Sequence, residues 1–388
     1  MNFSLKSALS SVFALSLALI AGCGSGDGSK EYAAGEEAYS HGDMLRAEKL
    51  FSESAECNPA NADALVMLAR VKKDLGKIEE AVATVAKAAV VAEGHLDVMM
   101  LEGEIAYLAK DYDLARRRFT AVAENNALDT AVRSLAWTGL GIVEMSCIGI
   151  DRQDMEKRAI SRIAFLRAVR LDRRNASARY HLGLLYRNAY GYLDAALEQF
   201  NIFVRLLNVA DSRVEKAQRV LIPEIKDEIA RRAAARPGAS SRDSSASANA
   251  LARAEAAWKK NQFKTARVEY DRAFAADVLS YPAALGLAKA WLKTDSSEFG
   301  RKKAFEYYKT ACSLRYSAVS TFLAAGELAM KLGQWASAAE IYSRAIAANP
   351  SDISAIDGLI RALRKVGGKA TTASAYQLYR ESIPIRSN

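Results

Sequence analysis

Few residues in this chain are grouped as shared chemistry requires. His41, His95 and His181 stand far apart, without the H-E-x-x-H or Cys/His spacing that places two ligands on one metal. They read as surface or groove histidines. Gly139-Leu140-Gly141 opens like a dinucleotide fingerprint, but Glu144 holds the place of its third glycine and the surrounding spacing is helical, so close helix packing explains it better. Neither a G-x-S-x-G elbow nor a Walker sequence occurs, and the carboxylates are spread along helical faces instead of paired for acid/base work. The expectation is a protein that is not an enzyme and has no cofactor or metal.

Charge is the stronger signal. The formal net charge of +9 permits an acidic partner without requiring one. Residues 152–187 hold ten Lys/Arg against Asp154, Glu156 and Asp172, whereas residues 31–63 hold eight Asp/Glu against Arg46 and Lys49. The basic segment reads first as a solvated face and second as a docking surface for an acidic partner. Nucleic acid is not expected, because aromatics are scarcely interleaved with the cations and the N-terminus reads as an export signal.

The elements that position these residues begin with that signal. Lys6 precedes a run from Ala8 to Ala21 that is apolar, broken by serines, and shorter than the roughly 20 residues a spanning helix needs. Ile20-Ala21-Gly22-Cys23 at its end resembles a bacterial lipobox, the cutting site of lipoprotein signal peptides. The resemblance implies cleavage before Cys23, a diacylglycerol on its sulfur, and essentially permanent membrane attachment through two or three acyl chains. Gly24 rather than aspartate follows, which in a Gram-negative lipoprotein implies outer-membrane sorting. Residues 1–22 are thus read as signal peptide and 23–30 as a flexible tether.

A 34-residue period organises the rest. Gly35, Gly42, Ala47, Phe51 and Pro59 begin it; Ala47, Ala81 and Ala115 repeat in register, as do Phe51, Val85 and Phe119. These positions resemble the tetratricopeptide repeat, which implies paired helices in close approach at small residues and an aromatic wedge between neighbouring repeats. Trp137, Leu140, Gly141, Phe165 and Ala168 continue the pattern, followed by Leu182, Gly183, Tyr186, Ala196 and Phe200. Residues 31–210 are read as a first array of about five repeats. Ser212 and Glu215 form a capping-box pattern that opens covering helices over 211–235, with Pro223 expected to bend them. Residues 236–249 lose hydrophobic periodicity and read as a linker. A second array of about four repeats is expected over 250–388, best marked by Gly326, Gly333, Trp335, Ala338, Tyr342, Ala345 and Pro350. The class is all-α, an α-solenoid in two arrays. Neighbouring helices lie roughly 8 to 10 Å apart, so Cys57, Cys147 and Cys312 in separate repeats are expected as free thiols.

The resemblance also implies that the first helix of each repeat lines a concave surface. Those positions include Tyr32, Tyr39, Arg70, Met100, Tyr107, Ile142, Met145, Tyr180, Leu184 and Arg187, with Glu36, Val66, Lys73, Glu104 and Thr138 among them. Aromatic and methionine anchors mixed with charges suit an extended or helical peptide. The lysine and asparagine clamp that co-chaperone members use is absent, for example at Tyr32, Glu36, Val66 and Arg70. The expected function is a membrane-anchored scaffold binding a protein partner in the cell envelope; the alternatives are recognition of cell-wall glycan or a small ligand, and an enzyme.

Overall fold

The computed structural model describes residues 27–148, 155–207 and 211–383; the leader and Cys23 lie outside them. Among the described residues every regular element is helical, and no helix is long and apolar enough to cross a membrane. The chain divides into two compact units, Met1–Val143 and Glu144–Asn388.

The first unit stacks helix pairs in chain order: α1 (Ser29–Ser40) with α2 (Met44–Cys57), α3 (Ala62–Asp74) with α4 (Ile78–Val91), α5 (Leu96–Leu108) with α6 (Tyr112–Ala123), then α7 (Thr130–Ser146). Caps set their starts: Asp43, Asn61 and Asp111 each accept a backbone N–H three residues on, satisfying a donor the first helical turn leaves open. Each turn between paired helices needs one left-handed residue. Gly42, Gly76 and Lys110 supply it at φ 79°, 76° and 64°, at the 34-residue spacing. The wedge is the expected one, since a Cβ on Gly103 or on Gly139 would lie 2.9 or 2.7 Å from the Phe119 ring that α6 inserts between α5 and α7.

The second unit is built from α8 (Met155–Leu171), α9 (Ala176–Leu185) running into a π-helical turn (Tyr186–Tyr190), and α10 (Leu193–Leu206). Then come α11 (Ser212–Lys216), a second π-helical turn (Ala217–Leu221) and α12 (Ile222–Ala234). Asp211, not Ser212, caps α11, and Pro223 follows directly on the second π-helical turn, through which the backbone stays right-handed helical into α12. Four helix pairs follow: α13 (Ser244–Lys259) with α14 (Phe263–Ala276), α15 (Tyr281–Thr294) with α16 (Glu298–Leu314), α17 (Val319–Lys331) with α18 (Trp335–Ala348), and α19 (Ile353–Lys365) with α20 (Ala370–Glu381). Tyr342 is the wedge here; a Cβ on Gly326 or Gly358 would come within 2.6 or 2.4 Å of its ring.

Two features differ from the sequence reading. The segment 236–249 is short of a linker at its far end, because α13 starts at Ser244 under an Asp243 cap. Arg242 also forks onto Asp277 at 2.6 and 3.0 Å, and the Asp243 amide donates to the Ala276 carbonyl at 2.8 Å. Moreover, α20 packs against α8, so helices from both sides of that segment meet within one unit.

Candidate partner-binding face and a buried arginine cavity

Within the first unit, α1, α3 and α5 are the first helices of successive pairs. Tyr32, Tyr39, Arg70, Met100 and Tyr107 on them are half-buried, which leaves part of each side chain open to a partner. Two polar links hold the three helices in register: Tyr39 Oη donates to Asp74 Oδ2 at 2.8 Å, and Lys73 Nζ donates to Glu104 Oε2 at 2.7 Å. Tyr32 packs edge-on to Phe51, and burial, helped by Glu36, pushes its phenol up to about 12. Val66 and Thr138 turn inward instead, at 7% and 4% exposure. Ile142 is half-buried on α7.

In the second unit the sequence-derived positions part company. Met145 and Leu184 are half-buried, but Tyr180 is core: its ring meets Phe203 at 5.0 Å and Phe200 at 5.8 Å, and the Arg213 guanidinium lies over it. Arg187 is held by Glu224 of α12 at 2.6 Å. The segment after α10 contributes to both corrections, with Arg213 over Tyr180 and Glu224 on Arg187, while the rings packed on Tyr180 come from α10 itself. First-helix positions omitted from the sequence reading line an open depression on α17 and α19, including Leu323, Glu327, Asp357, Ile360, Arg361 and Arg364. Arg361 donates to Glu327 at 2.5 Å and the Tyr342 hydroxyl donates to the same oxygen at 2.9 Å. Glu327 and Arg361 stand one 34-residue period apart, so the repeat itself carried the signal.

The basic segment, expected at a surface, is mostly half-buried among the described residues, and one of its cations is enclosed. Arg162 on α8 is 1% exposed. Its Nε donates to Tyr376 Oη at 2.8 Å, Nη2 donates to the same oxygen, and Nη1 donates to the Ser343 carbonyl and hydroxyl at 3.1 and 2.9 Å. The rings of Tyr190 and Tyr376 lie 4.8 and 5.2 Å from its guanidinium carbon. Burial pushes the phenols of Tyr186, Tyr190 and Tyr192 upward against the opposing pull of Arg162, so these rings stay neutral at physiological pH. Arg170 donates to Ser382 and lies over Tyr379, Arg167 donates to the Leu378 carbonyl, and Arg179 donates to Gln199. The bonds of Arg162, Arg167 and Arg170 fasten α8 to α18 and to α20 and its end, and that of Arg179 ties α9 to α10.

A cavity of about 350 Å³ opens beside Arg162, between α8, the first π-helical turn, α18, α19 and α20. Arg158, one turn before Arg162, also lines it and donates to the Ala189 carbonyl at 3.0 Å.

The three histidines do not converge on a metal site, and no group of three metal-ligating side chains occurs among the described residues. His181 is stacked on Phe165, and burial lowers its pKa. Cys147 and Cys312 are free thiols, as expected; Cys57 is not among the free thiols, which corrects the expectation of a third.

A family model described as tetratricopeptide repeat matches residues 66–130 and 323–386. None of the curated proteins matches the sequence. Among solved structures, the chain is similar to PilF of Pseudomonas aeruginosa, with 19% identity and a TM-score of 0.42 over 54% of this chain and 93% of that one. It is also similar to MamA from Desulfovibrio magneticus, with 19% identity and a TM-score of 0.39 over 46% and 94%. A tetratricopeptide repeat protein from Parabacteroides merdae aligns at 14% identity and a TM-score of 0.37 over 78% and 99%. With the period, the turn residues and the ring-on-glycine wedges in agreement with the family match, the chain carries tetratricopeptide repeats, at residues 66–130 in its first unit and 323–386 in its second.

Proposed function

We propose that this chain is a non-enzymatic scaffold, anchored to a bacterial envelope membrane through lipid on Cys23, that holds a segment of a protein partner on the first-helix face of its first unit. Tetratricopeptide folds bind protein partners, and the observation that carries the choice of face is the row of half-buried Tyr32, Tyr39, Met100 and Tyr107 with Arg70 among them. The Tyr39–Asp74 and Lys73–Glu104 links fix the helices before a partner arrives, so less ordering entropy is lost on binding. Apolar anchors of this kind typically contribute about 2 kcal/mol or more each when fully covered, whereas rim charges mainly set association rate.

Photo-crosslinking residues at Met100 and Tyr107, with Val82 on α4 as the control position, test the face in envelope-bearing cells. One partner crosslinked from 100 and 107 and not from 82 supports the reading; equal yields from all three refute it. The anchor is tested separately by mass spectrometry of the peptides holding Cys23 and Cys57 without reduction. A diacylglyceryl mass on Cys23 supports the lipid, and a peptide joining the two cysteines refutes it, because one sulfur cannot hold both bonds.

A further inference from the structure

Arginine is rarely buried unless it is paired, since a lone charge in a medium of low dielectric has lost its hydration without recompense. Arg162 is buried with neutral partners: a phenol, a serine hydroxyl and a carbonyl. Arg158 adds a second cation to the same cavity wall, and its Nε and Nη2 are buried without a hydrogen-bond partner. Those two atoms form the edge of the guanidinium that takes both oxygens of a carboxylate in parallel. Among the described lining residues the one carboxylate is Glu340, which is exposed. The rest of the wall is partly aliphatic, with Met155 one turn before Arg158 and Leu359, Leu363 and Val366 from α19 and its end, and alanines at 159, 189, 336 and 339 leave the space. The volume equals that of roughly a dozen waters, at the lower end of the range for small-molecule pockets.

We propose that this cavity is a binding site for a small organic acid, with its carboxylate on Arg158 beside Arg162 and its apolar body against Leu359, Leu363 and Val366. The site is separate from the first-unit face and does not depend on it. A neutral molecule of the same shape leaves the Arg158 donors poorly matched, and a cation is repelled by two guanidinium groups.

The probe is octanoate, titrated calorimetrically into the full chain, with octanamide and octylammonium as neutral and cationic equivalents. Octanoate is expected to bind at least tenfold more tightly than octanamide, octylammonium not at all, and the octanoate complex to melt at a higher temperature than the free chain. Arg158→Gln should weaken octanoate at least tenfold while octanamide is unchanged. Ala336→Phe, at an exposed position on the wall, should block both, with the helical circular-dichroism spectrum retained. Absence of octanoate binding at 10 mM overturns the proposal, on the order of the weakest affinity worth assigning to a site. So does equal binding of acid and amide, or binding that survives both variants. A glutamate-rich peptide that displaces octanoate and binds more tightly assigns the cations to an acidic protein segment and overturns the small-acid assignment.

Discussion

Tyr376→Phe isolates what the buried arginine requires. Tyr376 is 2% exposed, and its one oxygen accepts from both Nε and Nη2 of Arg162, so the substitution leaves two guanidinium donors without an acceptor while the charge stays buried. Tyr379→Phe is the matched control: Tyr379 is 1% exposed, one turn along α20, and its hydroxyl donates to the neutral Pro350 carbonyl at 3.0 Å. Losing an ordinary neutral hydrogen bond costs about 1 kcal/mol, and stranding a buried charged donor costs about 3 kcal/mol. For a unit of this size each kcal/mol lowers the melting temperature by roughly 2 to 4 °C, giving about 6 to 12 °C for Tyr376→Phe and about 2 to 4 °C for the control. Tryptophan fluorescence reads this transition well, because Trp258, Trp291 and Trp335 lie in the second unit and Trp137 in the first. Arg162→Met in the Tyr376→Phe background should recover part of the loss, since the uncompensated charge is then gone. Equal shifts for the two phenylalanine variants, with no recovery in the double variant, would refute the role given to Arg162.

Lys110 occupies the left-handed turn position that Gly42 and Gly76 hold in the preceding repeats, so Lys110→Gly should stabilise the first unit by about 1 kcal/mol in urea denaturation; a loss of stability counts against the turn assignment. The Asp277 carboxyl is held below its ordinary value of 3.8 first by its hydrogen bond from Arg242. Its contribution is therefore present above pH 3.8 and lost as pH falls through the lower folded value. Asp277→Asn should cost about 1 kcal/mol at pH 7, after allowance for screening at the partly exposed Arg242, and a progressively smaller amount in acid; a cost independent of pH would contradict this. Proteolysis between Arg236 and Asp243 should leave fragments that co-elute in size-exclusion chromatography, because α8 and α20 remain bonded through Arg162, Arg170 and Thr371; separate elution would break the account of this unit.

The helix pairs were legible because each repeat makes its important contacts with its neighbour, so position within a period fixes which face a residue presents. Phe119 between Gly103 and Gly139, and Tyr342 between Gly326 and Gly358, are contacts of this local kind. The same rule placed Tyr32, Tyr39, Met100 and Tyr107 on first helices, where they are half-buried. It misplaced Tyr180 and Arg187, because the covering helix that supplies Arg213 and Glu224 lies beyond the repeat and has no period of its own. It also passed over Arg162, whose partners Ser343 and Tyr376 are separated from it by 181 and 214 residues, a distance over which periodicity carries no pairing information.

The partial burial of the basic segment bears on where a partner can dock. A run of cations attracts an acidic surface only through charges that keep water or the partner as their counterpart, and here most are committed elsewhere. Arg162 is enclosed by tyrosines, Arg170 and Arg179 donate to Ser382 and Gln199, and Arg187 is paired with Glu224. What stays exposed from the segment's centre is Arg173 and Arg174, at the turn between α8 and α9. Two adjacent charges screened beyond roughly 10 Å by salt can hasten an encounter but supply little affinity. Affinity for a protein segment has to come from apolar side chains that remain partly open on a preformed surface, and in the first unit Tyr32, Tyr39, Met100 and Tyr107 meet that requirement whereas Tyr180 in the second does not. The cations that were the strongest charge signal in the sequence thus serve the closure of the second unit and its cavity, and the partner face proposed above rests on the apolar side chains of the first unit rather than on them.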